Sequence, residues 1–281
     1  MDYVKPAEMA AAMSDSGVQR AQLSITDVLV RGMMAGAILG IATSLAITGA
    51  VQTGVPFVGA LVFPVGFVMI VCLGLELCTG NFGILGLSFF DGRLGFAPMM
   101  RNFAWSFVGN LLGSVLYALL LVIALSNAWH TPPAGVAQKI VDLATAKTVA
   151  YEALGSAGML TVFVKAMLCN WMVCLGVTMA MMSTSTFGKI LGAWLPVLLF
   201  FAQGFEHAVV NMFVIPAGMM LGAHVSFEQW WAWNQIPVTL GNFVGGVLFI
   251  SVAWYLTYRP KTQGEPSRVS ASPGVSVARL R

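Results

Sequence analysis

The sequence predicts an all-α membrane protein of six transmembrane helices, arranged as an inverted 3+3 repeat with broken second and fifth helices. Three observations carry that expectation. Only 9% of the 281 residues are charged and 58% are hydrophobic, whereas a soluble domain carries about 25% charged residues. Six stretches approach the ~20 apolar residues that a span requires. Short motifs also recur, in the same order, in the two halves of the chain.

The six apolar stretches cover residues 28–50, 55–75, 103–126, 159–183, 190–221 and 236–258. Ahead of them, residues 1–27 read as a cytoplasmic segment with a modest amphipathic helix over 6–25, lying at the membrane interface. The first apolar run follows Asp2, Glu8, Asp15 and Asp27. That is the wrong order for a signal peptide, so the N-terminus is expected to be kept. Residues 28–258 form the pore domain, with repeats at about 28–126 and 159–258. Residues 259–281 are rich in Ser, Pro and Gly and read as a disordered cytoplasmic tail.

Lys and Arg set the orientation. With both termini in the cytoplasm, Lys5, Arg20, Arg93, Arg101, Lys189 and the basic residues of the tail lie inside. Lys139 and Lys147 alone fall in an outer loop, and 222–235 has neither Lys nor Arg. The net charge of +3 is too small to imply a nucleic-acid partner. Cys72, Cys78, Cys169 and Cys174 lie inside apolar segments, where a free cysteine behaves as a small hydrophobe. They show no disulfide or metal spacing, and no cofactor is expected.

The duplication rests on three matches. Residues 102–113 read NFAWSFVGNLLG and residues 234–245 read NQIPVTLGNFVG. Both give Asn, six residues, Gly-Asn, two residues, Gly. Residues 74–81, GLELCTGN, match 204–211, GFEHAVVN, each with Gly-x-Glu and then Asn five residues after the Glu. A weaker echo joins VRGMMAG at 30–36 to VKAMLCN at 164–170. Three spans per unit is an odd number, so the second unit must be inverted. Inverted repeats are a transport architecture, with the site near the midplane at interrupted helices. Glycines spaced by four, such as Gly109/Gly113 and Gly241/Gly245, let helix backbones approach closely.

The GLELCTGN and GFEHAVVN stretches are where the second and fifth helices should break. Unwound backbone at membrane depth survives only where protein buries it or where it lines a cavity. Glu76 and Glu206 occupy matched positions and read as structural groups that accept backbone N–H groups freed by the breaks, or stay protonated. His207 has no counterpart, because Leu77 takes its place in the first unit. A titratable group at membrane depth points to function. Thr79 follows Glu76 by three residues, and Phe63, Phe67 and Phe200 flank the breaks. Taken singly, such residues are ordinary helix hydroxyls and core aromatics.

The stretch GFEHAVVNMFVIPAGM, with CNWMVCLGVTMA (169–180), LELCTGN (75–81) and IPVTLGNFVGG (236–246), resembles the formate/nitrite transporter family. The resemblance extends over about residues 6–260. It implies an aquaporin-like fold in homopentamers, with a pore in each protomer, in the inner (plasma) membrane. True aquaporins carry Asn-Pro-Ala at both breaks, and this sequence has neither. By resemblance, His207 is the central pore histidine, Thr79 the threonine of the first break and Asn170 the asparagine near that histidine. Phe63, Phe67, Leu77, Cys78 and Phe200 fall at constriction positions. The family often has Phe where Cys78 stands, and Phe67 replaces a more usual Leu. Arg20 fits the basic residue of the inner vestibule, and Lys147 and Lys165 are both candidates for the lysine of the outer one.

The expected function is transport of a small monovalent anion, formate first, with protons as the coupled partner. An anion in hydrocarbon is very costly and its neutral acid much cheaper. A histidine with an unperturbed pKa of ~6.5 switches charge near neutrality. The same residues would suit nitrite or hydrosulfide. A membrane cofactor subunit with His207 as a haem ligand, and aquaporin-like conduction of water or glycerol, are the readings from other classes. Against the first, His130 and His224 both fall in outer loops.

Overall fold

A computed structural model of the protein describes residues 2–258, and all the regular elements among them are helices. The expected tail at 259–281 lies outside the described residues. Helix α1 (Pro6–Gln22) starts with Pro in its first turn, where the missing N–H has no helical partner to lose. Helix α2 (Ile25–Thr53) is capped by Ser24, whose hydroxyl accepts the Asp27 amide, and it stops at left-handed Gly54. Then follow α3 (Pro56–Cys72), which jogs at Phe63–Pro64, and α4 (Cys78–Phe90). Helix α5 spans Phe96–Leu125.

The second half begins with two short helices, α6 (Val136–Ala146) and α7 (Val149–Ala153). Helix α8 (Ser156–Met181) leads to α9 (Thr186–Ala202), α10 (Ala208–Met220) and α11 (Phe227–Tyr258). The last contains two π-helical turns, Trp231–Gln235 and Val247–Val252. Helices α2, α5, α8 and α11 are long and apolar enough to cross a membrane. The other apolar helices, α3, α4, α9 and α10, are each shorter than that.

Several expected boundaries move. The stretch at 55–75 becomes α3 and α4 and runs on to Phe90. Helix α5 begins at Phe96 rather than residue 103. Its polar first turns are affordable because Arg101 donates to the Ala21 and Leu23 carbonyls and Asn102 to the Arg20 carbonyl. The outer loop of the sequence reading contains α6, which packs along α10 much as α1 packs along α4. An amphipathic 11-residue helix is too short to register as a span, and its register depends on what it packs against.

The long helices pair, α2 against α5 and α8 against α11. Glycine makes both pairings possible. A Cβ on Gly113 would run into the Met33 carbonyl oxygen, and one on Gly245 into that of Met167. These collisions sit at matched positions of the two halves, and they explain why the GN-x-x-G motif recurs.

Candidate functional site

Two short non-helical stretches, 73–77 and 203–207, meet the interior at matched positions. Gly74 and Gly204 have φ of 64° and 65°, a region that costs a side chain energy and costs glycine nothing. The turn at each closes with a hydrogen bond, from Leu75 N–H to the Ile70 carbonyl (3.0 Å) and from Phe205 N–H to the Phe200 carbonyl (3.2 Å). This is the helix-ending motif that glycine permits. The chain is extended at Leu77 and His207 before α4 and α10 begin.

The first free amide of each new helix is met by an asparagine. Asn110 Oδ1 accepts Cys78 N–H at 2.9 Å, and Asn242 Oδ1 accepts Ala208 N–H at 2.8 Å. The amide nitrogen of Asn110 donates to the Gly32 and Glu76 carbonyls. That of Asn242 donates to the Ala166 and Glu206 carbonyls. The expectation that the glutamates take the freed amides is therefore corrected. Asparagine carries both a donor and an acceptor, so it can bond both sides of the gap.

The glutamates serve side chains instead. Glu76 accepts Arg20 Nη1 at 2.5 Å and Asn81 at 2.7 Å, with Asn102 at 3.2 Å. Glu206 accepts Lys147 Nζ at 2.7 Å, Asn211 at 2.8 Å and Tyr151 Oη at 2.9 Å. Asn81 also donates to Asn102, and Asn211 to Asn234, at 2.8 Å each. Asn102 and Asn234 then donate to the carbonyls of Arg20 and Lys147 themselves. Burial pushes the Tyr151 phenol upward, and the neighbouring Glu206 carboxylate adds to it, so Tyr151 stays a donor.

The halves differ at the end of each break. Leu77 offers no cap to α4, whereas His207 Nδ1 accepts Val210 N–H at 3.2 Å and caps α10. With Nδ1 an acceptor, the neutral ring carries its hydrogen on Nε2. Nε2 lies 3.0 Å from Thr79 Oγ1, so it donates to that hydroxyl. His207 stacks on Phe200, with ring centroids 5.8 Å apart and planes at 16°. Both Thr79 and His207 are buried.

Two cavities approach this pair. One, of about 310 Å³, lies beside α1 and is lined by Arg20, Phe67 and Leu77. The other, of about 520 Å³, lies beside α6 and is lined by Lys147, Phe200 and His207. Phe63 is fully buried, edge-on to Phe200 (5.8 Å) and stacked on Phe201 (3.9 Å). Phe63, Cys78, Thr79, Asn170, Glu206 and Lys165 line neither cavity. Asn170 donates to the Thr79 carbonyl at 3.0 Å and the Asn242 carbonyl at 2.7 Å, which positions the first turn of α4. Lys165 lies over the Tyr151 ring at 5.8 Å. His130 and His224 are exposed, unlike His207.

The asparagines at 81, 102, 110, 211, 234 and 242 were visible only as repeat markers, and Tyr151 carried no signal at all. The repeat markers were the available clue, because a polar residue kept in both halves of an apolar domain needs a partner.

The family model described as formate/nitrite transporter matches residues 7–256. The chain is 36% identical over 272 residues to a probable formate transporter of Methanothermobacter thermautotrophicus, covering 91% of this chain and 97% of that one. It is 30% identical to the formate channel FocA of Escherichia coli K12, covering 92% and 95%. Among solved structures, an FNT family ion channel superposes with a TM-score of 0.75 at 30% identity, covering 89% of this chain and 98% of that one. A pentameric formate channel with formate bound gives 0.65 at 25% identity, covering 83% and 97%. These relatives are transporters and channels, not enzymes, and with its apolar helices this chain is a membrane protein.

Proposed function

The chain belongs to the formate/nitrite transporter family, and from that premise we propose that it carries formate across the membrane together with a proton. The reading includes six spans as an inverted 3+3 repeat with breaks at 73–77 and 203–207, both termini in the cytoplasm, and a homopentamer in the plasma membrane with one pore per protomer. Four long helices and the split pairs α3/α4 and α9/α10 support the six spans. The matched Asn110 and Asn242 networks support the repeat. The similarity to a pentameric formate channel supports the assembly.

One observation carries the function. The Thr79–His207 hydrogen bond joins two polar side chains beside two cavities, one lined by Phe67 and Leu77 and the other by Phe200 and His207, with Phe63 buried behind Phe200. A bare anion cannot pass an apolar constriction cheaply, and a neutral acid can. The neutral ring already uses both nitrogens, so an added proton goes to Nδ1 and releases Val210. The resulting imidazolium balances the anion or hands it the proton, and Thr79 replaces part of its lost hydration. Proton symport and anion conduction are two regimes of this one site.

Uptake of formate, nitrite and hydrosulfide into proteoliposomes, each with and without a pH gradient, tests the reading. Formate uptake that rises with an inward proton gradient, and that His207→Phe abolishes, supports it. Unchanged proton-coupled uptake by His207→Phe sinks the histidine's role, and a preference for either other anion moves the substrate within the family.

A further inference from the structure

Each cavity is lined by two cationic side chains and no acidic one. Beside α1 these are Arg20 and Lys189, and beside α6 they are Lys139 and Lys147. The members of each pair are in opposite states. Arg20 is bonded to buried Glu76 and Lys147 to buried Glu206. Lys189 and Lys139 are exposed, and among the described residues neither side chain has an ion pair or hydrogen bond. The nearest acidic residue along α6, Asp142, accepts instead from Gln138 at 2.9 Å.

We propose that Lys139 and Lys189, rather than the ion-paired Lys147 and Arg20, are the charges that draw the anion into the two mouths. The proposal rests on the anion-transport reading and adds the division of labour within it. An ion pair seen from outside is a dipole whose field falls off faster than that of a single charge. Glu76 and Glu206 each cancel one cation per mouth, so the net +1 that an approaching anion meets is the free lysine. A cleft with low-dielectric walls focuses such a field and raises the encounter rate. Arg20 and Lys147 anchor the glutamate–asparagine networks, and their charge is spent there. The lysines sit on α6 and at the start of α9, beside different cavities and at opposite ends of the pathway, so each governs entry from its own side.

The test is the initial rate of formate entry in proteoliposomes of defined sidedness, at low and high salt. A unit charge about 6 Å from the ion's path changes its local concentration roughly threefold in water. Lys139→Gln therefore lowers entry from the α6 side about threefold at ~0.01 M salt, through a higher KM with an unchanged maximal rate. Lys189→Gln does the same from the α1 side alone. Both deficits vanish near ~1 M salt, where the screening length is about 3 Å. Lys147→Gln instead lowers the rate at every salt concentration and lowers thermal stability. A Lys139→Gln protein with wild-type rates at low salt overturns the proposal, as does a deficit that persists at high salt. Absence of anion uptake by the wild-type protein is a different outcome and overturns the transport reading itself.

Discussion

The two breaks are built alike and end differently. At each, a left-handed glycine stops one helix, an asparagine from a neighbouring long helix takes the first amide of the next, and a buried glutamate meets a cation. Most of the bonds correspond, down to the Asn81–Asn102 and Asn211–Asn234 contacts, although Asn102 reaches Glu76 and Tyr151 reaches Glu206 without a counterpart. Then Leu77 ends the first break and His207 the second. Shared features answer a problem both breaks have, which is buried backbone without helical partners. Under the proposed function, the unshared residue answers a problem that only the pathway has. Structure and chemistry can thus be separated within one molecule by comparing it with itself.

The sharpest way to break the comparison is to remove the asymmetry at the ends of the breaks. His207→Leu copies Leu77 into the second half. Proton-driven formate uptake should fall by about a hundredfold or more, from the lower end of the range for a positioned acid–base group upward. The same change deletes a cap worth about 1 kcal/mol, so a loss of uptake alone does not isolate the chemistry. His207→Asn does, because asparagine caps well and does not titrate. It should keep the wild-type melting temperature and still lose coupling to the pH gradient. Retained coupling in His207→Asn would reduce the histidine to a helix cap.

The next effect tests the shared part. Removing one partner of a buried ion pair leaves the other uncompensated and costs about 3–5 kcal/mol. Glu76→Ala and Glu206→Ala should each lower thermal stability in detergent by that order, and by similar amounts. The carboxylates are buried in both halves. Arg20 and Lys147 keep 20% and 17% of their side-chain surface, which places both variants toward the lower end. A large difference between them would show that Tyr151, present only at Glu206, carries part of the load.

Much of this was legible in the sequence because it was written twice. Gly74, Glu76 and Asn81 recur as Gly204, Glu206 and Asn211. A duplicated polar residue in an apolar chain announces a partner before that partner is known. What was written once, or written differently, stayed hidden. Arg20 and Lys147 serve corresponding glutamates, yet they differ in type and lie outside the matching motifs. Helix α6 is short and half polar, so neither span length nor hydropathy revealed it, although it brings Lys147 to Glu206. The bonding of Asn110 and Asn242 was unreadable for another reason. Their partners, Gly32, Glu76 and Cys78 for Asn110, are backbone groups, which any sequence supplies and only the fold selects.

The third test separates the two jobs of asparagine. Asn110→Ala and Asn242→Ala each leave one N–H and two carbonyls short of a partner in a buried setting. Unsatisfied groups cost about 1–3 kcal/mol each. The carbonyls have second lone pairs, so about 2–3 kcal/mol per variant is expected, again equal in the two halves. Asn242→Ala should also impair uptake, because it loosens the amide next to His207. Asn110→Ala should leave the turnover per folded protein closer to wild type. Equal loss of uptake in both would mean that the two breaks contribute alike to the pathway.

The smallest expected effect bears on geometry alone. Gly74 and Gly204 hold φ near 65°, and a Cβ built on either meets nothing within 4 Å. Space is therefore no obstacle, and the whole cost of Gly74→Ala or Gly204→Ala lies in the backbone. A left-handed residue with a side chain costs roughly 1–2 kcal/mol. Both variants should lose about 1 kcal/mol by thermal unfolding, while formate selectivity and the dependence on the pH gradient stay unchanged. A change in selectivity on substituting either glycine would mean that the breaks flex during transport. The turn would then be a hinge of the pathway as well as the place where two helices stop.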